Sequence, residues 1–375
     1  MAPVILLLHN RYRLPGGEER AVADLAWLIR EQLGEEAEVL ERDSAGLGSR
    51  RAALGLLRGG LAPEDVAHAV RRTGARVVHA HNLNPAFGWR ALAAAREAGA
   101  RVVVHLHNYR LVCAQALCFT RGEDCTRCHG RNTLPGVRLN CRGGSRAEAV
   151  AYAAGLALWQ RRLGECADAF VVPSAFALGR LRELGAPLGE RAHVIGSVQR
   201  EWAARSTAAS GEFALAVGRL TPEKGFADAI AAARATGLPL VVTGDGPQAA
   251  ALRALAQGAD VRFTGALPAS ALAALRRRAA VAIVPSRYAE ILPLAALEAM
   301  AAALPVVAAD AGGLAQTVPL EGRYPPGDAG ALAGRLTALW GDAEAGERSL
   351  ALARERFAPE AVARALRVVY DGPDD

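Results

Sequence analysis

Short apolar runs alternate along the chain with longer alanine-rich stretches of helical spacing. Most of the short runs are continuously apolar rather than alternating, which is typical of parallel strands covered on both faces. A regular alternation of such strands with helices predicts an α/β protein with parallel sheets. The predicted strands are Val4–Leu8, Ala37–Leu40, Val77–His79, Arg101–His105, Ala169–Val172, Phe213–Val217, Leu240–Thr243, Val261–Phe263, Val281–Val284 and Val306–Ala308.

This number of strands is too large for one comfortable doubly wound sheet, and the chain of 375 residues is long enough for two domains. A polar stretch rich in small residues, from about Arg191 to Gly211, is the predicted linker. The resulting division is an N-terminal domain over 1–193 and a C-terminal domain over 194–355, followed by a terminal helical segment over 356–375.

Composition excludes several classes of protein. Hydrophobic residues make up 51% of the chain, as in a well-packed globular protein, and the net charge of +6 is scattered, so no nucleic-acid partner is predicted. Val4–Leu8 lacks the basic flank of a signal peptide, and no apolar run approaches the roughly 18 residues of a spanning helix. We therefore expect a cytoplasmic protein. Ser44–Pro63 and Arg146–Leu163 have basic ends, so peripheral membrane contact and ordinary core helices both stay open.

One cation differs from all the others, because Lys224 is the single lysine among 44 lysine and arginine residues. It follows the predicted strand Phe213–Val217, and Arg219 stands five residues before it, after Gly218. An ammonium and a guanidinium at a strand–helix turn suit a diphosphate. The alternative is that this lysine has no such role and persists by chance in an arginine-rich chain.

Two carboxylates stand eight residues apart in the same half. Glu290 comes shortly after the strand Val281–Val284, and Glu298 lies on the helix that follows. The N–H groups of Leu294 and Ala295 at the start of this helix would face an anion. Glu298, one turn further on, is placed to accept hydrogen bonds from sugar hydroxyls.

The first half supplies a glycine pair and a set of histidines. Gly16 and Gly17 follow the first strand, where they allow close approach of a ligand or form an ordinary turn. His107 stands at the carboxyl end of Arg101–His105, where ligands bind in open α/β sheets. His81 ends the preceding strand and is a candidate for the acceptor side. His79 and His105 are predicted to be packing residues.

A cysteine cluster interrupts the α/β pattern within the irregular loop 109–145. Cys113, Cys125, Cys128 and Cys141 have a spacing compatible with a structural four-thiolate zinc site, for which Cys118 and His129 are substitutes. Free thiols, or a disulfide in an extracellular setting, are the alternatives.

The order of motifs in the second half resembles the retaining glycosyltransferases of family 4. The resemblance covers nearly the whole chain, and it rests on Gly218-Arg219, Lys224-Gly225, Gly244-Asp245-Gly246-Pro247, Phe263-Thr264-Gly265, Pro285-Ser286, Glu290, Pro293, Glu298-Ala299-Met300-Ala301 and Pro305-Val306-Val307. It implies the GT-B fold, in which two Rossmann-like domains face each other across a cleft. It also implies transfer of a sugar from a UDP-, GDP- or ADP-type donor to a hydroxyl acceptor without a catalytic metal.

The resemblance assigns roles to the donor-side residues by position. Arg219 and Lys224 match the pair that grips the donor diphosphate, with help from the backbone at Leu294 and Ala295. Glu290 matches the acid near the hydroxyls of the transferred sugar, and Glu298 matches the acid that holds the nucleotide ribose.

The same resemblance extends to the first half. His107 matches the active-site histidine near the donor sugar, and the loop at Gly16 and Gly17 matches one that meets the diphosphate or the acceptor. A subset of the family carries a cysteine-bearing loop after this histidine, as here from Cys113 onward. The architecture implies that the last helix returns to the N-terminal domain, and many acceptors of the family are lipid-linked.

Three departures from the family pattern leave the donor sugar open. Ala303 stands where a glycine is usual, Gln316 stands where an acid is usual, and 291–292 replaces an aromatic residue or a glycine. A nucleotide-sugar epimerase or hydrolase on the same fold, and a non-catalytic sugar-nucleotide binder, are the rival hypotheses. A dehydrogenase and a kinase are disfavoured, because the chain has neither a G-x-G-x-x-G in its first βα unit nor a Walker loop.

Overall fold

The computed structural model describes residues 3–12, 16–142 and 144–372. These residues fall into two compact units. Unit 1 comprises the described residues up to Cys118, those from Cys125 to Val198, and those from Pro359 onward; unit 2 comprises Phe119–Asp124 and Gln199–Ala358. The chain therefore passes into unit 2 five residues after the predicted boundary, and it returns to unit 1 three residues after the predicted start of the terminal segment.

Unit 1 is built on a parallel sheet in the strand order β2-β1-β3-β4-β7-β8. The strands of this sheet are β1 (Val4–Arg11), β2 (Glu36–Asp43), β3 (Ala75–Ala80), β4 (Arg101–His105), β7 (Ala169–Val172) and β8 (Ala192–Val194). Between β4 and β7 in the chain, β5 (Phe119–Thr120) and β6 (Glu123–Asp124) form a short antiparallel hairpin that belongs to unit 2. The helices of this part are α1 (Gly17–Leu28), α2 (Ser49–Arg58), α3 (Pro63–Thr73), α4 (Gly88–Glu97), α5 (Leu134–Arg138), α6 (Arg146–Cys166) and α7 (Ala175–Glu183).

Unit 2 is also built on a parallel sheet of six strands, but its strand order differs and is β11-β10-β9-β12-β13-β14. Its strands are β9 (Phe213–Val217), β10 (Leu240–Thr243), β11 (Val261–Gly265), β12 (Ala279–Val284), β13 (Val306–Ala309) and β14 (Arg323–Tyr324). Its helices are α8 (Phe226–Thr236), α9 (Ala249–Leu255), α10 (Ala269–Arg278), α11 (Leu294–Ala301), α12 (Leu314–Thr317), α13 (Ala329–Leu339) and α14 (Ala343–Phe357).

All ten predicted strands are present, and the parallel α/β class is confirmed. The continuous apolar runs are buried on both faces, as β12 illustrates, since every residue from Ala279 to Val284 is buried. The predicted linker differs from the structure at its start. Its residues Ala192–Val194 form β8 and pair with β7, because a strand of three residues carries too little pattern to be recognised.

The last helix, α15 (Pro359–Asp371), belongs to unit 1. Val362, Leu366 and Val369 lie on one helical face and join the core formed by β1, β3, β4 and β7. Tyr370 adds a polar contact, because its hydroxyl lies 2.7 Å from Nδ1 of the buried His79. None of the helices in the described part of the chain has both the length and the hydrophobicity needed to cross a membrane.

Each sheet has a point where the strand order reverses. In unit 2, β10 and β11 follow β9 on one side of it, and β12 then pairs with β9 on its other side. In unit 1, β2 lies on one side of β1 and β3 lies on the other. Ligands of open α/β sheets bind outside the carboxyl ends of the strands at such points. The predicted site residues follow β9 and β12 in unit 2, and β1, β3 and β4 in unit 1.

Candidate active site

The centre of the unit 2 site is an ion pair between the ends of neighbouring strands. Lys224 follows β9 and Glu290 follows β12, and the structure places the Lys224 Nζ 2.8 Å from Glu290 Oε1. Burial lowers the pKa of Lys224, but the nearby Glu290 carboxylate outweighs that effect, so the pKa is raised overall. The ammonium is therefore charged at any physiological pH.

The Glu290 carboxylate is fixed by its own segment. Its side chain is buried, and the Ser286 hydroxyl donates a hydrogen bond to the same Oε1 that Lys224 contacts. The Glu290 backbone carbonyl accepts a hydrogen bond of 2.6 Å from Gly313 N–H. Gly312 has a φ of +59°, and a Cβ there would lie 2.7 Å from the Glu290 carbonyl oxygen. The Gly-Gly turn after β13 thus positions the acid.

A tight turn brings Lys224 to this point. Gly225 has a φ of +68°, and a Cβ there would lie only 1.9 Å from the Pro285 carbonyl oxygen, so the Lys224 turn and the β12 end meet by close backbone approach. The Lys224 ammonium lies 5.3 Å from the centre of the Tyr288 ring. Arg219 is exposed, and no ion-pair partner for it occurs among the described residues.

Glu298 is already engaged by a cation that the sequence analysis did not single out. It forms an ion pair with Arg276 of α10, and both side chains are largely buried. Within the triplet 276–278, nothing in the local pattern distinguishes Arg276 from its exposed neighbours. Leu294 and Ala295 are the first residues of α11, where their N–H groups precede the first intrahelical hydrogen bonds, as predicted.

In unit 1, His107 and His81 lie at the ends of adjacent strands and contact each other. His81 Nδ1 is 2.7 Å from His107 Nε2, and the rings are stacked. Burial lowers the pKa of His107, and the proximity of His9 lowers it further, although Glu18 has the opposite effect. The His107 ring is therefore neutral at pH 7, and its two nitrogens can act as one donor and one acceptor.

The loop that contains the glycine pair is held at both ends by one carboxylate. Glu19 accepts hydrogen bonds from Tyr12 N–H at 3.1 Å and from Gly16 N–H at 2.7 Å, and Gly17 begins α1. Burial tends to raise the pKa of Glu19, but nearby His9 and these N–H donors lower it to about 2. Residues 13–15 of the predicted motif lie outside the described residues.

Arg110 is a candidate site residue that the sequence analysis passed over. Its guanidinium lies over the rings of Tyr12 and Tyr152, and its Nη1 is 3.4 Å from Asn82 Oδ1. Its Nε is buried and has no hydrogen-bond partner in the described part of the chain. Only its distance of three residues from His107 could have indicated a role, and an arginine-rich chain hides that signal.

The histidines that were predicted to pack are indeed buried. His79, His81 and His105 place ring nitrogens within 4.8 Å of one another, which raises the question of a metal ion. However, the His79 and His81 rings are stacked, with an interplanar angle of 8° and centroids 4.8 Å apart. Imidazole lone pairs lie in the ring plane, so stacked rings do not converge on one ion at bond lengths of about 2 Å. We assign no metal to this stack.

The zinc site predicted at the cysteine cluster stays a prediction from the sequence. Among the described residues, which include every cysteine of the chain, no three thiols of Cys113, Cys125, Cys128 and Cys141 come within ligand distance of one another. Cys113 instead pairs with Cys118, whose side-chain hydrogen bond outweighs burial and lowers the Cys113 pKa to about 6.

A pocket of about 840 Å3, part of it open to solvent, lies within unit 1 next to His107. Its lining includes Glu18, His81, Asn108 and Arg110. Chemically, unit 1 thus offers a cavity with neutral imidazoles and one guanidinium, whereas unit 2 offers fixed cations beside a buried carboxylate.

Comparisons with known proteins match this division of the chain. A family described as "Glycosyl transferase 4-like domain" matches residues 16–197, and one described as "Glycosyl transferases group 1" matches residues 212–342. Glycogen synthase of Mycobacterium tuberculosis is 39% identical over 173 residues, a region that covers 42% of this chain and 41% of the relative. The matched region thus spans about two fifths of that relative's length.

Solved structures resemble the whole chain at low sequence identity. Alr3699/HepE of Anabaena, in complex with UDP and glucose, has a TM-score of 0.66 and 18% identity, with 98% of this chain and 99% of that one covered. Sucrose-phosphate synthase of Thermosynechococcus elongatus has a TM-score of 0.71 and 19% identity, with 98% of both chains covered. At this level of identity the similarity establishes the fold, which is GT-B.

Proposed function

We propose, from the premise that this chain belongs to the family 4 glycosyltransferases of GT-B fold, that it moves a sugar from a nucleotide-diphosphate donor to a hydroxyl acceptor with retention of anomeric configuration. The observation that carries the proposal is the Lys224–Glu290 pair at the reversal point of the unit 2 sheet, beside the exposed Arg219. This arrangement combines fixed positive charge with a buried sugar-binding acid.

In this proposal, Arg219 and Lys224 bind the donor diphosphate and stabilise it as it leaves. Negative charge develops on the leaving diphosphate during transfer, and preorganised cations stabilise such charge without reorganisation. The N–H groups of Leu294 and Ala295 add to the same site. We infer that these groups, rather than a catalytic metal ion, meet the developing charge.

Glu290 and Glu298 would then hold the two sugars of the donor. Glu290, fixed by Ser286 and Lys224, would accept hydrogen bonds from hydroxyls of the transferred sugar. Glu298 would accept from the nucleotide ribose while Arg276 keeps its carboxylate in place. Gly16 and Gly17 would, as the family resemblance implies, meet the diphosphate or the acceptor.

His107 would orient the transferred sugar and the acceptor hydroxyl rather than abstract a proton from water. Its lowered pKa supports this role, because the ring is neutral: Nε2 is engaged by His81, and Nδ1 would donate to or accept from a substrate hydroxyl.

The direct test is incubation with radiolabelled nucleotide sugars and a panel of hydroxyl acceptors. The proposal would be supported if the label is recovered in an acceptor glycoside and NMR shows that its anomeric configuration is the same as that of the donor. Label only in free sugar or in an isomerised donor would favour the hydrolase or epimerase hypothesis instead. Donor binding with no turnover would favour a non-catalytic binder.

The nucleotide is best sought with a thermal-shift panel of UDP-, GDP- and ADP-sugars, because a true donor stabilises the fold by mass action. UDP-glucose comes first in that panel, since Alr3699/HepE was solved in complex with it.

Three further expectations stay predictions from the sequence: cytoplasmic location, contact with a membrane, and a lipid-linked acceptor. The structural zinc site at Cys113, Cys125, Cys128 and Cys141 is a further prediction. Elemental analysis of the purified protein tests it, and one zinc per chain would support the site.

A further inference from the structure

Two arginine–carboxylate pairs link the segments that flank β9 and β12, which are neighbouring parallel strands. At the amino ends of the strands, Arg278 donates to Glu212 from Nε at 2.9 Å and from Nη2 at 2.7 Å. At the carboxyl ends, Arg287 donates to Asp228 from Nε at 2.8 Å and from Nη2 at 2.5 Å. Both pairs thus have the bidentate geometry that fixes position as well as charge.

The two pairs differ in burial. The side chains of Arg278 and Glu212 are both more than half exposed, whereas the Asp228 carboxylate is only 7% exposed. A buried carboxylate is unfavourable without a cation, so Asp228 depends on Arg287, while an exposed pair contributes little. The pair at the carboxyl ends is therefore the one whose loss would disturb the structure around it.

Arg287 also holds the main chain of both site segments. Its N–H donates to the Glu223 carbonyl oxygen at 2.8 Å, and Glu223 directly precedes Lys224. Arg287 itself directly follows Ser286, whose hydroxyl contacts Glu290. One residue therefore joins the lysine turn to the segment of the acid, through one backbone bond and two side-chain bonds.

Asp228 anchors the other side of this link. It lies in the first turn of α8, and its N–H donates at 2.9 Å to the carbonyl oxygen of Gly225, the residue after Lys224. Loss of the pair would free the lysine turn to move relative to the Glu290 segment. A misplacement of about 1 Å can reduce an enzymatic rate by roughly 100-fold.

We propose that Asp228 and Arg287 are positioning residues of the donor site, whose bidentate pair holds Lys224 against Glu290. They act through these two groups and not by touching the donor. The inference rests on the proposed function and extends it to the residues that set the distance between the cation and the acid.

The geometric part can be tested without a substrate, because Lys224 is the only lysine of the chain. Acylation needs the free amine, and the Glu290 carboxylate raises the pKa of Lys224 and so disfavours that form. Asp228→Asn should speed acetylation of Lys224 by N-acetoxysuccinimide at least about tenfold at constant pH, since each unit by which the pKa falls gives tenfold more free amine. Mass spectrometry of the Lys224 peptide would measure the rate.

Glu212→Gln is the matched control, because it also converts the carboxylate of a bidentate pair to an amide. It should change the acetylation rate less than about twofold. If Asp228→Asn does not fold, Arg287→Lys replaces it. Unchanged Lys224 reactivity in the folded variant would overturn the inference, and so would a rise that is fully explained by the unfolded fraction from urea titration.

Steady-state kinetics separate positioning from direct binding of the donor. With the nucleotide sugar found in the thermal-shift panel, Asp228→Asn and Arg287→Gln should each lower kcat/KM for the donor by about 10- to 100-fold. The acceptor KM should stay within about twofold, and Arg287→Lys should recover part of the loss, because it keeps the charge beside Asp228. A large loss in Arg287→Gln with none in Asp228→Asn would show that Arg287 binds the donor itself, contrary to the inference.

The two experiments keep this inference apart from the proposed function. Faster acetylation of Lys224 in the Asp228 variant, with no sugar transfer by the wild type from any donor, would support the pair as a positioning device and overturn the proposed function. Transfer by the wild type, with normal Lys224 reactivity and normal kinetics in the variant, would do the reverse.

Discussion

The two units are both six-stranded parallel α/β sheets with different strand orders, and their sites use opposite electrostatic means. All eight histidines fall in the sequence ranges of unit 1, and the four that lie in or just after β3 and β4 form a stack of rings with lowered pKa values. Three of these rings are buried, and His107 is half-buried. Unit 2 has no histidine and instead contains the only lysine and three ion pairs at or near its site, namely Lys224–Glu290, Arg276–Glu298 and Arg287–Asp228.

The difference follows from what each unit is proposed to bind. A diphosphate carries charge that stays fixed in sign, so permanently charged side chains suit it. A hydroxyl acceptor needs groups that both donate and accept hydrogen bonds, and neutral imidazoles do so. Two parallel α/β sheets can therefore support a charged and a neutral half-site through the side chains at their strand ends.

The largest expected difference between the two units is their stability in acid, because only unit 1 contains buried histidines. The folded-state pKa of His79 is lowered to about 3 by burial and by His107, and those of His81 and His105 are lowered by the same cause, so the unfolded chain takes up protons first as the pH falls below 6.5. Stability that is complete above pH 6.5 is thus lost progressively toward lower pH. Glu19 adds to this trend only below about pH 4.5.

Hydrogen exchange by mass spectrometry between pH 6.5 and 4.5, corrected for intrinsic rates, would locate the effect. We expect peptides of β3 and β4 to lose protection before those of β9 and β12. Simultaneous loss in both units would contradict the assignment of the pH response to the histidine stack.

Lys224→Ala should cause the largest loss of activity of any single change in unit 2. Removing one preorganised group that stabilises developing negative charge costs about 100- to 1,000-fold in kcat. Lys224→Arg should also impair donor use, because a planar guanidinium does not replace a compact ammonium beside Glu290. Steady-state kinetics with the donor found in the thermal-shift panel would measure both.

Arg277→Ala is the matched control, since Arg277 is an exposed cation on α10 of the same unit. It should leave kcat unchanged. A fully active Lys224→Arg enzyme would make the lone lysine a coincidence of composition.

His107→Ala should reduce transfer less, by about tenfold to a hundredfold, because it removes an orienting group rather than a charge. Its effect should fall on kcat with the acceptor, while donor binding to unit 2 stays as in the wild type. The exposed His129 provides the control substitution to Ala. Loss of donor binding in the His107 variant would show that the two half-sites are not separable in this way.

Tyr370→Phe should have the smallest effect, about 1 to 3 kcal/mol in the unfolding free energy of unit 1, because His79 loses its one hydrogen-bond partner. Tyr324 in unit 2 is equally buried, and its hydroxyl has no partner in the described residues, so Tyr324→Phe should cost little. Urea unfolding, followed by hydrogen exchange of peptides from each unit, would compare the unfolding free energies of the two variants. Equal losses would refute the role of the Tyr370 hydroxyl.

The sequence predicted features that depend on neighbouring residues better than features that depend on residues far apart in the chain. Strands such as Phe213–Val217 and Arg101–His105 were located to the residue, because a buried run between turn residues is a local pattern. Lys224 and Glu290, 66 residues apart, were each predicted to belong to the site, but their direct pairing was not, since it depends on the order of β9 and β12 in the sheet.

The omissions had the same origin. The spacing of Cys125 and Cys128 predicts a zinc knuckle, but the hydrogen bond between Cys113 and Cys118 was not predicted, because it depends on the geometry of the loop. Arg276 and Arg110 were overlooked because each is one arginine among 43, and only packing distinguishes them. The pocket next to His107 was not predicted, because its lining comes from helices that are far apart in sequence.

The single lysine has an experimental consequence beyond catalysis. A protein grown with isotopically labelled lysine would carry one labelled side chain, and that side chain lies at the proposed diphosphate site, 2.8 Å from Glu290. Its ammonium resonance would be a one-line spectrum that needs no assignment. Each nucleotide, acceptor or variant could then be judged by whether it moves that line.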